Sequence, residues 1–302
     1  MPIKFGVHTG LQNTTIADLQ SVWRRSEALG FDWISIWDHF YAADAVGTHS
    51  LEAVAAHAAL IAATSRVQCG SLVYSAGYRH PAVLANTMTT LDQLSNGRVV
   101  LGLGAGWLRT EYDAYGLDYG TPSERLRKLE EYIQCMRLLL SEDRANFSGE
   151  FFDLTDAACD PKPDQARLPI WIGGGGEKVT LRIAAQHADG WNVPFMSPQV
   201  WADKAAVLDQ HCERIGRDPS SITKSVNVGI AKDETDLVAQ YGKLTNAVRA
   251  GVFMGSVQEM VDMAGAYCEA GAEYLIVAMR APFHVDVLDM FAAEVIPAVR
   301  TA

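Results

Sequence analysis

The sequence predicts a closed (β/α)8 barrel, and three observations carry the prediction. Short apolar runs alternate with amphipathic stretches along all 302 residues. Eight such runs occur, each followed by a helical pattern, which is the arithmetic of eight β/α units. Several runs are apolar at nearly every position, as strands covered on both faces of a parallel sheet must be. No linker interrupts the middle of the chain, so residues 1–302 read as one barrel domain with surface insertions near 141–167 and 231–255.

The first run, 3–7 (IKFGV), leads to His8, and a helix pattern follows at 15–29. The second, 31–37 (FDWISIW), runs into Asp38 and His39 before a helix pattern at 50–64. The third, 67–73 (VQCGSLV), continues through YSAGYRHP to a helix at 81–95. The fourth, 99–104 (VVLGLG), opens into Gly104, Ala105, Gly106 and Trp107. The helix over 122–140 then starts with Thr121 as N-cap, Pro122 at the first helical position and Glu124 completing a capping box.

The fifth run, 168–173 (LPIWIG), ends in four consecutive glycines, Gly173, Gly174, Gly175 and Gly176, ahead of a helix at 177–188. The sixth, 189–195 (DGWNVPF), precedes a helix at 198–216. The seventh, 225–230 (SVNVGI), precedes a helix at 256–269 that repeats the capping box with Ser256 and Glu259 and stops near Gly271. The eighth, 273–279 (EYLIVAM), ends at Arg280 before a closing helix at 284–300. The stretch 141–167 exceeds a plain connection and predicts a surface hairpin around FSGEFFDL; it and 231–255 are candidates to cover the barrel mouth.

Composition narrows the partners. Nearly half the residues are hydrophobic and the formal net charge is −11. Nucleic acid and anionic membrane surfaces both demand basic patches, so neither is an expected partner. A small-molecule ligand is expected instead. The five cysteines are widely spaced without CxxC, which reads as reduced thiols in a cytoplasmic protein. The start MPIKFGVHTG does not read as a signal peptide, and no apolar run reaches the roughly 18 residues of a membrane span.

In a (β/α)8 barrel the chemistry sits at the C-terminal ends of the strands. Those ends carry His8, Asp38 and His39, Gly104 to Trp107, the four glycines, Trp191 with Asn192, and Arg280. An isolated Asp-His pair reads as a solvated strand end; second among eight strands, it falls on the catalytic rim. The glycines precede a helix, so their amides suit an anion such as phosphate. Trp37, Phe40, Tyr74, Trp107, Trp191 and Phe195 give the mouth an aromatic character that suits a planar or apolar substrate. The eight histidines show neither HExxH nor clustered Cys/His spacing, so no metal is expected, and no G-x-S-x-G elbow supports a serine hydrolase.

The stretches WDHF (37–40), YRHPAVLANTMTTLDQLSNGRVVLGLGAGW (78–107) with Glu111, and LPIWIGGGGEKVTLRIAAQHADGWN (168–192) resemble the luciferase-like monooxygenase superfamily. More narrowly they resemble its branch that uses the deazaflavin coenzyme F420. The resemblance implies a homodimeric barrel with the cofactor ring at the C-terminal mouth. It implies a bulged third strand with a non-prolyl cis peptide, which spacing from YRHP places at Ser71–Leu72. Ser71, Leu72, Tyr74, Gly104, Gly106 and Trp107 then lie against the cofactor, Gly173 to Gly176 at its phosphate, and Asp38 beside its reactive ring.

His39 is the expected proton-handling residue, because imidazole titrates near neutral pH. His8, Trp37, Phe40, Trp191, Asn192 and Arg280 are the expected substrate-pocket residues. The sugar-phosphate dehydrogenases of this branch carry a glutamate where this chain has Trp107, and a basic residue near the place of Ser197, which argues against a sugar phosphate. The expected activity is hydride transfer between F420 and a small apolar or planar molecule. The alternatives are an FMN-dependent monooxygenase and a flavin- or deazaflavin-binding protein without turnover.

Overall fold

The structure, a computed structural model, describes residues 3–42 and 49–301. In chain order it contains β1 (Lys4–Thr9), α1 (Ile16–Ala28), β2 (Trp33–Ile36), α2 (Ala53–Ala63), β3 (Gln68–Ser71), β4 (Tyr74–Ser75), α3 (Pro81–Ser95), β5 (Val99–Gly104), α4 (Arg109–Tyr115) and α5 (Pro122–Ser141). There follow β6 (Ala145–Ser148), β7 (Asp153–Ala157), β8 (Ile170–Gly173), α6 (Thr180–His187), β9 (Gly190–Pro194), α7 (Pro198–Arg214) and β10 (Thr223–Ile230). The chain closes with α8 (Glu234–Tyr241), α9 (Thr245–Val248), β11 (Val252–Phe253), α10 (Val257–Glu269), β12 (Tyr274–Met279), α11 (Val285–Met290) and α12 (Ile296–Thr301).

Eight parallel strands close on themselves in the order β1, β2, β3, β5, β8, β9, β10, β12. The eight apolar runs of the sequence thus supply the eight staves. Two-residue periodicity divides each stave between two cores. Outward-facing Val7, Ile34, Leu101, Ile172, Val228 and Val277 pack under the helices. Inward-facing Trp33, Trp171, Tyr274, Val100 and Ile276 form a separate cluster in the barrel interior.

The Trp33 and Trp171 rings stack at 4.6 Å, and Tyr274 meets Trp33 edge-on at 6.0 Å. Such aromatic pairs add about 0.5–1.5 kcal/mol beyond the area they bury. Gly70 is the counterpart of this stack, since a Cβ there would overlap the Trp33 ring. The three aromatic side chains come from the early residues of their strands. They plug that end and leave the other end open.

The capping boxes at Thr121/Glu124 and Ser256/Glu259 are both formed. Each satisfies two amides that a helix end leaves orphaned. The helix expected from residue 177 begins at Thr180, because Glu177 to Val179 form a turn that first lifts the chain off the glycines. The cis peptide lies at Leu72–Val73, one residue beyond the expected Ser71–Leu72. Ser71 is still paired with Ile36, and the Leu72 amide still donates to the Ile36 carbonyl at 2.8 Å, so the chain leaves the ladder only after Leu72.

The hairpin predicted around FSGEFFDL is β6 paired antiparallel with β7. It does not cover the mouth. Glu131 of α5 holds it through the Glu150 and Phe151 amides, and Phe152 packs on Tyr132 of α5 and on His80, which places it outside the barrel. The excursion at 231–255 does reach the mouth, where Leu244 and Val248 join the cavity wall. No helix among the described residues is long and apolar enough to cross a membrane.

Candidate active site

The open end of the barrel holds a cavity of about 470 Å³. Its walls come from the C-terminal ends of the strands, and most of their surface is apolar. Trp37, Leu72, Val73, Phe195, Leu244, Val248 and Met279 supply the apolar part. His8, Asp38, His39, Ser75, Tyr78, Thr180, Asn192, Asn227 and Arg280 supply the polar atoms. A volume of this size suits a ring system or a drug-sized molecule.

The Asp38-His39 pair splits between two tasks. Asp38 is 3% exposed, and Arg79 holds both its oxygens at 2.7 and 3.2 Å while the Ser75 amide donates at 3.1 Å. Burial pushes the Asp38 carboxyl above its ordinary range; the Arg79 charge and hydrogen bonds pull part of that back, and the net direction is upward. Arg79 also reaches Glu52, the N-cap residue of α2, at 2.5 Å. Asp38 is therefore a fixed part of the wall, tying the end of β2 to the segment that leads into α3.

His39 faces the cavity and is held from behind. Its Nδ1 lies 2.9 Å from Oε2 of Glu111, which is fully buried. Glu111 also accepts from the Phe40 amide at 2.5 Å, from the Tyr41 amide at 2.9 Å and from the Tyr78 hydroxyl. Burial alone would raise the Glu111 carboxyl, but hydrogen bonds from His39, Tyr78 and the Tyr41 amide outweigh it and hold it below its ordinary value. Two indoles flank the His39 ring edge to face, Trp37 at 5.4 Å and Trp107 at 5.6 Å.

Arg280 stacks between Trp37 at 5.0 Å and Tyr241 at 4.7 Å. His8 is buried with Nδ1 2.9 Å from the Ser35 hydroxyl. Desolvation first, then the charges of Arg280 and His39, push its pKa down to about 3, so it is a neutral polar group near neutral pH. Asn192 donates to Ser225 at 2.9 Å and to Asn227 at 3.1 Å, giving a carboxamide pair on the same wall.

The residues named from sequence divide cleanly. His8, Trp37, Asp38, His39, Leu72, Gly104, Gly106, Trp107, Gly173, Gly174, Asn192 and Arg280 all line the cavity. Ser71, Tyr74, Trp191, Phe40, Gly175 and Gly176 do not. Strand alternation explains the first three. Ser75 and Asn192 face the cavity, so Tyr74 and Trp191 turn outward, toward His57 and Trp201. The Ser71 hydroxyl is consumed by the Gly102 amide and carbonyl. Phe40 folds back onto Tyr78 and Tyr115.

At the glycine turn, the Gly174 amide is already bonded to the Asn192 carbonyl at 3.0 Å, extending the β8–β9 ladder. The amides of Gly175 and Gly176 donate no hydrogen bond among the described residues. A Cβ on Gly176 would stand 2.8 Å from the Thr180 hydroxyl, and Thr180 lines the cavity. Lys204 of α7 adds a cation, with Nζ 3.0 Å from the Gly175 carbonyl and 3.1 Å from Glu177. A phosphate-bearing cofactor fits this arrangement: an apolar-walled slot with two spare amides, a hydroxyl and a lysine at one edge. Among the described residues no group of three His, Cys, Asp or Glu is placed to hold a metal.

Sequence reasoning did not assign site roles to Glu111, Tyr78, Arg79, Thr180, Asn227, Leu244 or Val248. Glu111, Tyr78 and Arg79 stood within or beside the quoted motifs, and that was their only signal. Leu244 and Val248 belong to an irregular excursion whose path no periodicity encodes.

The luciferase-like monooxygenase family model matches residues 1–276. An F420-dependent glucose-6-phosphate dehydrogenase from Amycolatopsis mediterranei (strain U-32) is 34% identical over 190 residues, covering 63% of this chain and 56% of that protein. A second, from Segniliparus rotundus, is 30% identical over 237 residues, covering 77% of this chain and 70% of that one. The match thus spans little more than half the length of the first relative. Among solved structures, an F420-dependent secondary alcohol dehydrogenase in complex with an F420-acetone adduct superposes with a TM-score of 0.89 over 99% of both chains. At 23% identity, that likeness speaks for the fold.

Proposed function

The chain belongs to the luciferase-like monooxygenase family, and we propose that it is an F420-dependent oxidoreductase acting on a small apolar or planar substrate. The observation that carries this reading is the His39 ring, backed by Glu111 and facing an apolar cavity that ends in the glycine turn. The names of the two relatives support the choice of cofactor. When bound, the deazaflavin supplies the hydride chemistry.

The chain's own residues do the rest. Leu72, Val73, Gly104 and Gly106 offer a flat wall for a ring system. The free amides of Gly175 and Gly176, with Thr180 and Lys204, hold a phosphate. His39 takes up or gives back a proton at Nε2. Trp37, Trp107, Phe195, Leu244 and Val248 exclude water and present apolar surface to the substrate, which favours a small aliphatic or aromatic molecule over a sugar phosphate. Asn192 and Asn227 orient a polar atom on it.

Spectral titration of the apoprotein with F420 and with FMN tests the reading. Saturable F420 binding is expected; tight FMN binding with none for F420 would sink it and favour a monooxygenase. A homodimer is part of the proposal, supported by an apolar groove between α2 and α3 that exposes Val83 and Leu94 at 59% and 61%. Sedimentation equilibrium showing only monomer removes it. A cytoplasmic setting is supported by five free cysteines, four of them buried. Recovery of disulfide-linked protein from cells contradicts it.

A further inference from the structure

We propose that Glu111 is a positioning residue that sets the tautomer of His39, keeping the proton on Nδ1 and the lone pair of Nε2 free for the cavity. The inference rests on the reading that His39 handles a proton, and it follows from a count of donors and acceptors.

Among the described residues Glu111 receives four contacts. Oε1 accepts from the backbone amides of Phe40 and Tyr41, at 2.5 and 2.9 Å, and an amide N–H can only donate. Oε2 meets the Tyr78 hydroxyl and, at 2.9 Å, the Nδ1 of His39. Burial and the Glu111 contact push the Tyr78 phenol far above its ordinary value, so it stays protonated and donates. A carboxylate held in its ionised form only accepts. The remaining partner, Nδ1, must therefore carry a hydrogen. In the neutral ring that leaves the lone pair on Nε2.

The same count makes a sharp variant. In Glu111→Gln the oxygen must stay at the Oε1 position, because two backbone amides converge there. The new NH2 group is forced to the Oε2 position, where it donates toward Nδ1 and toward the Tyr78 oxygen. Nδ1 becomes an acceptor and the ring proton moves to Nε2. The clamp on Phe40 and Tyr41 survives, while the base presents the wrong nitrogen.

The test is a long-range proton–nitrogen correlation spectrum of apoprotein labelled with ¹⁵N-histidine, with His39 assigned by loss of its signals in His39→Ala. Near neutral pH the neutral wild-type ring is expected to be protonated at Nδ1, and the Glu111→Gln ring at Nε2. Turnover of the Gln variant is expected to fall about 10²–10⁴-fold with F420 affinity unchanged, the scale of a misoriented general base. Tyr78→Phe removes only a donor, so it is expected to keep the wild-type tautomer. A wild-type ring protonated at Nε2 overturns the proposal without any variant, and so does an unchanged tautomer in folded Glu111→Gln. If the tautomers come out as expected but His39→Ala still turns over, it is the proton role of His39 that fails.

Discussion

The Trp107 indole stands edge to face on His39 with 5.6 Å between ring centroids, and it is 56% exposed. A large aromatic ring left in solvent beside a titratable group at a cavity rim is placed to meet what enters. Replacing it with the shorter, charged Glu removes apolar surface from the entrance. Trp107→Glu is expected to lower kcat/KM for small apolar substrates by about 10–200-fold, equivalent to roughly 1–3 kcal/mol, with F420 affinity retained. Steady-state kinetics over a panel of small apolar and planar substrates would measure this. A loss confined to F420 affinity would mean that the ring covers cofactor instead.

His39→Ala removes the ring whose Nδ1 is tied to Glu111 at 2.9 Å. Turnover is expected to fall about 10²–10⁴-fold, while the F420 dissociation constant stays near the wild-type value. Stopped-flow turnover and fluorescence titration separate the two quantities. Equal losses in both would remove the proton-transfer role.

Gly176→Val adds branched carbons where even a Cβ would stand 2.8 Å from the Thr180 hydroxyl. The substitution crowds the turn whose amides are spare. F420 binding is expected to weaken at least about tenfold, or roughly 1.4 kcal/mol. Valine is the better probe than an acid at Gly175, because Lys204 lies 3.0 Å from the Gly175 carbonyl and would attract a new carboxylate. Unchanged affinity in a variant of normal melting temperature would place the phosphate elsewhere.

Acid should loosen the barrel through its buried histidines. His57 is fully buried, with Nδ1 3.1 Å from the Tyr74 hydroxyl and Nε2 3.2 Å from the Cys69 carbonyl. Desolvation lowers its pKa from 6.5 to about 4, partly offset by the Cys69 carbonyl. The folded state thus resists a proton that the unfolded chain accepts below about pH 6.5. Stability is full above that pH and is lost as pH falls through about 4, with a contribution of at most about 3 kcal/mol. Denaturant midpoints between pH 7 and pH 4.5 should fall, and His57→Gln should flatten the slope. An identical slope in the variant would assign the acid sensitivity to other groups, His8 first among them.

The fold was legible because it is written in local periodicity. Each apolar run became a barrel stave, and both capping boxes formed where Thr121/Glu124 and Ser256/Glu259 predict them. The site was legible in part, because barrel chemistry sits where strands end, and His8, Asp38, His39 and Arg280 do line one cavity. What escaped is what periodicity does not encode. Tyr74 and Trp191 were assigned to the mouth as aromatics, yet a one-residue alternation turned both outward. The cis bond stands at Leu72–Val73, one residue beyond where the motif spacing puts it, and the Leu72 amide still donates to Ile36 of the ladder.

By itself, then, the sequence determined the number of barrel strands, their order along the chain, and which residue types stand at their ends, since burial patterns and caps are set by neighbours a few positions apart. Only the tertiary structure decided that Glu111, 72 residues from His39, backs that ring, that Arg79 locks Asp38 into the wall, and that Leu244 and Val248 narrow the mouth. Those pairings arise from barrel closure, which brings strand ends together across large sequence separations. No local pattern carries the information of which buried donor will meet which buried acceptor.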